Sequence, residues 1–238
     1  MNKVQDLRQS YERGKLEEPN IPDRPYELFD KWFNEITNPD VDFVTRVKKW
    51  VGKTFVGESI EPNAMTLSTI QQIEEKTQPL PVSRTVLMKG YGDMWIEFFT
   101  NYESAKAHQI EKNKFVCATF WWAPLQRQVI IRGKAEKVSR ERTVEYFNTR
   151  PRASKIGAIA SSQSEIIESR DEIEKFYNAV KGRFSDKPSE EIPCPEHWGG
   201  YRINATGVEF WQGRVGRLHD RIVYMNVEGD WVWIRKAP

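Results

Sequence analysis

Three stretches of the chain gather cations in excess of acids, and the chemistry they share is the binding of anions. In Ser83–Lys89 the cations are Arg84 and Lys89. Their odd separation sends the two side chains to opposite faces of an extended strand, so each can meet a different anion, or both can be solvated strand ends. Tyr146–Lys155, YFNTRPRASK, holds Arg150, Arg152 and Lys155 and no acid. Pro151 ends a helix or marks a turn there. Guanidinium, phenol and hydroxyl donors converging on a turn make a phosphate cradle; the plain alternative is a basic surface loop. The third stretch, Glu209–Arg221, runs apolar strand residues into a Gly-flexed loop and then Arg217-Leu218-His219-Asp220-Arg221. Arginines flanking a His-Asp pair are costly to hold together unless something anionic sits among them. Their charge favours neutral imidazole, which suits His219 to hydrogen bonding or to accepting a proton.

No serine nucleophile elbow, Gly-rich dinucleotide loop or P-loop accompanies these stretches. Cys117 and Cys194 lie far apart, and His108, His197 and His219 have no ligand spacing, so no metal site is expected. Several anion sites without a protein nucleophile or a metal point to phosphorylated small molecules, with an organic cofactor carrying the hard chemistry. The 238 residues are 39% hydrophobic and 12% aromatic, enough for a real core. Lys and Arg total 36 against 34 Asp and Glu, and the net charge of +2 argues against a nucleic-acid partner. The first 18 residues hold no apolar run, and no stretch approaches the ~20 residues of a membrane helix. A cytoplasmic protein without a membrane partner is the expectation.

The elements that must position these groups change character along the chain. Residues 1–24 read as a polar arm, and 25–238 as one domain. A helix begins at Pro25, with Tyr26, Phe29, Phe33 and Ile36 in helical spacing. The 39–62 stretch is an unassigned excursion, in which Val44, Val47 and Val51 could share a helical face. Short strands follow at Ala64–Ile70, Ser83–Met88, Met94–Phe99, Phe115–Trp121 and Arg127–Arg132. Their connections are too short for crossover helices, which predicts antiparallel pairing. Helical spacing returns at Arg140–Thr149 and Ser169–Val180, where Ile173, Phe176, Tyr177 and Val180 share a face. Strands resume at Trp198–Ile203, Val208–Gln212, Ile222–Asn226 and Trp231–Arg235. The expected architecture is a mainly β, α+β fold: a small antiparallel barrel with helices packed outside it.

With these pieces in view the chain resembles the pyridoxine (pyridoxamine) 5′-phosphate oxidase family. The resemblance spans nearly the whole chain: Leu7-Arg8-Gln9-Ser10-Tyr11, Pro25–Trp32, Asn63-Ala64-Met65, Arg84–Lys89, Phe99-Thr100-Asn101, Arg127-Gln128-Val129 and Trp198–Arg202. Its most specific parts are RPRASKIG, at 150–157, and FWQG followed by RLHDR. The resemblance implies an FMN-binding split β-barrel, Greek-key-like, that forms a homodimer with FMN at the subunit interface. It implies oxidation of pyridoxine and pyridoxamine 5′-phosphates to pyridoxal 5′-phosphate, with hydride transfer to FMN and reoxidation by O2 giving hydrogen peroxide. FMN would be held by Arg84, Thr85, Val86, Leu87, Phe99, Thr100, Lys106, Gln128, Gln163, Ser164, Trp211 and Arg221. Lys89, Tyr146, Arg150 and Ser154 would grip the substrate phosphate. Arg217, Leu218 and His219 would meet the far side of the pyridine ring, with Arg8 and Tyr11 closing over it. Arg217 and His219 would be the catalytic pair.

The chain departs from the family pattern at Ser104-Ala105-Lys106, where an arginine usually stands in place of Ala105. One charge-assisted hydrogen bond to the FMN phosphate is then missing, which at ~1.5–3 kcal/mol implies weaker FMN binding unless another cation compensates. The ending Arg235-Lys236-Ala237-Pro238 differs from the common Arg-Leu-Ala-Pro. Two other readings stand beside an active oxidase: a non-catalytic flavin or pyridoxal-phosphate binding protein, and another enzyme of the same barrel, such as a flavin reductase or a haem-utilisation protein. The intact Arg217-Leu218-His219 weighs against the first, and the near-complete phosphate set against the second.

Overall fold

Residues 115–122 are apolar almost throughout, yet only Val116, Ala118, Phe120 and Trp122 are buried, while Phe115 and Trp121 face outward. This two-residue period is that of a strand with one face turned into a core. The same alternation recurs around a computed structural model that describes residues 10–38, 61–72 and 78–238. Eight strands form one antiparallel sheet: β1 (Ala64–Gln71), β2 (Leu80–Gly92), β3 (Trp95–Asn101), β4 (Phe115–Trp122), β5 (Arg127–Lys137), β6 (Trp198–Gln212), β7 (Asp220–Val227) and β8 (Asp230–Lys236). The spatial order is β3-β2-β1-β4-β5-β6-β7-β8, and β3 also pairs with β6. That pairing closes the first six strands into a barrel, and β4-β1-β2-β3 is the order of a Greek key. β7 and β8 continue from β6 outside the ring.

Residues 198–203 and 208–212, expected as separate strands, belong to one fifteen-residue strand, β6. It pairs with β3 over Trp198–Asn204, with β7 over Gly207–Gln212, and with β5 along nearly its whole length. The polar residues between the two apolar runs face a bulge at Arg132/Gly133. A Cβ at Gly133 would lie 2.2 Å from the Asn204 carbonyl oxygen, so only glycine admits this approach.

Five helices lie outside the barrel among the described residues: α1 (Pro25–Thr37), α2 (Ala105–Lys112), α3 (Arg140–Thr149), α4 (Arg152–Ala160) and α5 (Arg170–Arg183). α1 buries Leu28, Phe29, Trp32 and Ile36 against the barrel. Trp32 meets Phe210 edge-on at 5.3 Å, and the Arg127 guanidinium lies 4.4 Å from its ring centre. A smaller cluster of Phe147, Ile156, Phe184, Ile192 and Trp198 joins α3 and α4 to the start of β6. Tyr177 and Val180 of α5 pack against this cluster, but Ile173 and Phe176 are exposed, so the shared helical face is only half covered.

α2 and α4 have no counterpart in the hydrophobic pattern. α2 has one turn of apolar spacing, and α4 (RASKIGAIA) is made of small residues around Gly157. Pro151 is both the stop after α3 and the N-cap of α4, so YFNTRPRASK is a corner between helices and not a surface loop. The polar arm is anchored from within: Leu16 is buried in the main core, and Asp220 accepts the Leu16 N–H at 3.0 Å. The 39–62 excursion, except residues 61 and 62, lies outside the described residues, as does Arg8. No helix among the described residues is long and apolar enough to cross a membrane.

Candidate functional site

Strands β2 and β3, the start of α2 and the α3–α4 corner surround a cavity of about 480 Å³. Its aromatic wall is a stack: the Phe99 ring lies 4.1 Å from Tyr146 and 5.4 Å from Trp198, with interplanar angles of 29° and 17°. Tyr146 and Arg150 are one helical turn apart on α3 and its C-cap, and Ser154 follows in the first turn of α4. The Pro151 corner therefore brings three donors to one opening. The Arg150 guanidinium lies 4.6 Å from the Trp198 ring centre, and its Nη1 is buried with no hydrogen-bond partner. An unpaired buried guanidinium N–H is expensive, and an anion in the cavity satisfies it. Burial lowers the Arg150 pKa and raises that of Tyr146.

Across the cavity, Lys106 of α2 donates to Gln163 Oε1 (2.7 Å), Thr100 Oγ1 (3.1 Å) and Ser104 Oγ (3.2 Å). All three acceptors are neutral. Burial, with Arg84 adding repulsion, brings the Lys106 amine down to about 8. Arg84 sits behind it, donating to Gln109 Oε1 at 2.8 Å, to Thr69 Oγ1 and to the Leu67 carbonyl. Those partners are neutral as well, and burial lowers its pKa. Lys89 lines the same cavity, from a bulge between Met88 and Gly90 in the β2–β3 pairing. It shares the strand face of Thr85 and Leu87, which line the cavity too. Arg84 is not on the cavity wall but behind Lys106, whereas Lys89 is on the wall, so the two cations lie on opposite faces of β2 as their odd separation predicts.

Lys89, Lys106 and Arg150 have no carboxylate partner among the described residues. Such a donor set can hold a phosphate. Thr85, Val86, Leu87, Thr100, Gln163 and Trp198 complete much of the lining. Ser164, in the left-handed region at φ 79°, accepts the Ala105 N–H through Oγ at 3.2 Å.

A second cavity, about 550 Å³, opens where the β6–β7 loop meets the arm. It is lined by Ser10, Tyr11, Trp211, Arg214, Gly216, Arg217 and His219. The His219 ring lies 4.5 Å from Trp211 and 5.6 Å from Tyr11. Burial and then the charge of Arg217 lower its pKa, with Asp220 opposing them, which favours the neutral ring. The Arg214 N–H donates to His219 Nδ1 at 3.1 Å. The neutral ring therefore carries its proton on Nε2 and offers a donor there, not a base. Gly216 and Arg217 both adopt left-handed backbone, at φ 67° and 63°. This costs little for glycine and is strained for arginine. Arg217 has no ion-pair partner among the described residues, and Leu218 is 73% exposed.

Gln128, Trp211 and Arg221 are direct cross-strand neighbours on β5, β6 and β7. Arg221 is already engaged, by Glu209 at 2.8 Å and by the Ala237 carbonyl. The residues expected to hold one cofactor thus fall into two groups, one at the first cavity and one beside the second. Those expected to hold the substrate divide in the same way. Asn101, Ser161 and Gly157 at the first cavity and Arg214 at the second carry no such expectation, because their contribution depends on how separate elements meet.

Residues 53–183 match the family model described as pyridoxamine 5′-phosphate oxidase. Residues 198–238 match that of the pyridoxine 5′-phosphate oxidase C-terminal dimerisation region. A pyridoxine/pyridoxamine 5′-phosphate oxidase of Salinibacter ruber is 41% identical over 240 residues, covering 100% of both chains. One of Flavobacterium johnsoniae is 43% identical over 233 residues, covering 98% of this chain and 97% of the relative. Among solved structures, PhzG from Burkholderia lata, in complex with tetrahydrophenazine-1-carboxylic acid, superposes with a TM-score of 0.67 at 22% identity. That match covers 86% of this chain and 96% of the other. A pyridoxamine 5′-phosphate oxidase-related, FMN-binding protein of Nostoc punctiforme gives 0.59 at 15%, covering 84% and 98%. These two structures share the fold.

Proposed function

The chain belongs to the pyridoxamine 5′-phosphate oxidase family, and from that premise we propose that it oxidises pyridoxine and pyridoxamine 5′-phosphates to pyridoxal 5′-phosphate with bound FMN. The observation that carries this reading is the first cavity's set of cations without carboxylates, above all the buried and unpartnered Arg150 Nη1. The residues present fit two phosphates. Lys106, with Arg84 behind it and Thr100 and Gln163 beside it, takes that of FMN. Lys89, Tyr146, Arg150 and Ser154 take that of the substrate.

FMN, when bound, would supply the redox chemistry: it would take a hydride from the substrate's C4′ carbon, the hydroxyl or amine proton would go to solvent, and the electron pair would reduce O2 to hydrogen peroxide with protons from solvent. With the amine substrate, water would release ammonia from the resulting imine. The protein's part is binding and orientation. The phosphate grip fixes one end of the pyridine ring, and Arg217, Leu218, His219 and Tyr11 meet the other. Gln128, Trp211 and Arg221 would border the flavin, Arg221 through whatever donors Glu209 leaves free. His219 donates from Nε2 to the C4′ oxygen or nitrogen and fixes which hydrogen points at the flavin. Replacing His219 by Ala is expected to lower kcat about tenfold, the value of one lost hydrogen bond. His219→Gln, which retains an N–H donor, is expected to recover part of it in steady-state assays. A Gln variant as slow as the Ala variant excludes the donor role.

Each ligand's residues divide between two cavities, and apart from Ser10 and Tyr11 the second is lined from the segment that matches the dimerisation region. The active unit is therefore a homodimer in which the first cavity of one protomer faces the second cavity of its partner, with FMN between them. The outward apolar rows of β7 and β8, Met225, Val227, Val232 and Ile234, suit burial in such an interface. The test of the whole reading is direct. The purified protein, given FMN and pyridoxine 5′-phosphate in air, is expected to form pyridoxal 5′-phosphate and peroxide in equal amounts. FMN binding without product indicates a binding protein instead.

A further inference from the structure

Tyr11 reaches the second cavity on a segment with little hydrophobic anchorage of its own, because Ser10, Glu12 and Arg13 are polar. Beside the Arg13 guanidinium, which donates to the Pro124 carbonyl, one side chain binds the main chain of this segment. Gln126 Oε1 accepts the N–H groups of Glu12 (2.9 Å) and Arg13 (3.2 Å), and its Nε2 donates to the Ser10 carbonyl at 3.2 Å. One carboxamide thus binds the backbone on both sides of Tyr11, in the manner of an added strand.

Gln126 is itself rigid. It is 2% exposed and closes the turn between β4 and β5 at φ 54°. Its own carbonyl accepts the Gly213 N–H at 2.8 Å and Gln212 Nε2 at 3.2 Å. Gly213 opens the loop that carries Arg217 and His219, and a Cβ there would lie 2.8 Å from the Tyr11 ring. The main chain of Gln126 therefore holds one wall of the second cavity while its side chain holds the other. We infer that Gln126 is a positioning residue that latches the arm, setting Tyr11 against His219 and Trp211 so that the cavity is formed before substrate arrives. The inference rests on the proposed function for the role of Tyr11, but the latch itself does not.

Gln126→Gly is the clean test, since glycine tolerates the left-handed backbone and only the side chain is lost. With the latch removed, the competent arm position is populated only part of the time, and apparent affinity falls by that fraction. Losing three hydrogen bonds at once is expected to raise KM for pyridoxine 5′-phosphate about tenfold, with kcat changed less than about twofold. Adding Tyr11→Ala to Gln126→Gly is expected to cost no more than Tyr11→Ala alone, because both act through one contact. Gln126→Glu keeps the two accepted bonds and loses the donated one, and its KM is expected to lie between. Amide hydrogen exchange over residues 10–13, measured without substrate, is expected to speed up about tenfold in Gln126→Gly while the barrel strands are unchanged. Unchanged exchange in that segment, full additivity with Tyr11→Ala, or an unchanged KM each overturns the inference. An unsubstituted protein with no turnover overturns the oxidase reading instead, and the exchange data still decide the latch.

Discussion

Arg150→Met is expected to reduce kcat/KM for pyridoxine 5′-phosphate about 100-fold, ~2.7 kcal/mol of lost transition-state binding. The methionine side chain keeps most of the volume beneath Trp198 and removes only the donors. One charge-assisted hydrogen bond to a phosphate, at ~1.5–3 kcal/mol, brackets the expected loss. Most of it belongs in KM, since the phosphate is bound equally in ground and transition states. FMN content is expected to stay at the unsubstituted level, because Lys106 and Arg84 lie on the other side of the cavity. Arg150→Lys is expected to recover little, since an ammonium cannot both span a phosphate in a fork and lie flat against the Trp198 ring. Steady-state kinetics and flavin absorbance on the same samples make the check. A variant that loses flavin while keeping KM would assign Arg150 to the cofactor instead.

Flavin affinity is expected to fall as pH rises through about 8, the value at which the Lys106 amine titrates. Lys106 is held there by burial and by Arg84 rather than by an acid, so neutralising it removes attraction for the FMN phosphate and leaves no competing ion pair to rescue it. Bound phosphate restores the ammonium, so binding takes up a proton when the pH lies above that value. Affinity then drops by up to tenfold per pH unit until the unliganded amine is fully neutral and the phosphate no longer holds its proton. The apoprotein behaves in the opposite sense. Between pH 8 and the ordinary lysine range the unfolded chain binds more protons than the folded one, so this group's contribution to stability rises with pH. Lys106→Met is expected to bind FMN about tenfold more weakly at pH 7 and to lose the pH dependence around 8. Titration calorimetry in buffers of different ionisation enthalpy reads both the affinity and the proton uptake.

Much of this was legible in the residues, and the remainder follows a pattern. The barrel strands announce themselves because β-branched and aromatic residues alternate between Gly and Pro breaks, and α1 because its apolar residues keep helical spacing behind Pro25. α2 and α4 do not, since their burial comes from packing Ala107, Ile110, Lys155 and Ile156 into gaps between other elements. The unity of β6 is hidden for a related reason: Asn204 to Gly207 look like a loop until their partners on β5 are known. At the site, the cation clusters and the family motifs name most of the residues. Strand parity separates Arg84 from Lys89, and the structure keeps that alternation, with Arg84 turned inward and Lys89 on the cavity wall. The tautomer of His219 depends on a backbone N–H five residues away, contributed by a loop with two left-handed positions. Nothing in RLHDR alone encodes it.

β6 has a further consequence through its length. Trp198, at its first residue, borders the phosphate cavity, and Trp211, near its last, borders the second, so about 40 Å of strand at ~3.3 Å per residue separates them. In the proposed dimer a protomer is a giver of two unlike halves to two different reaction centres, and defects in the two halves can complement one another. Mixing a protomer damaged at Arg150 with one damaged at His219 places both lesions in one centre of the mixed dimer and leaves the other whole. Random reassortment makes about half the dimers mixed, and the recovered activity tends towards a quarter of that of the intact enzyme, above both the Arg150 parent, about 100-fold slower, and the His219 parent, about tenfold slower.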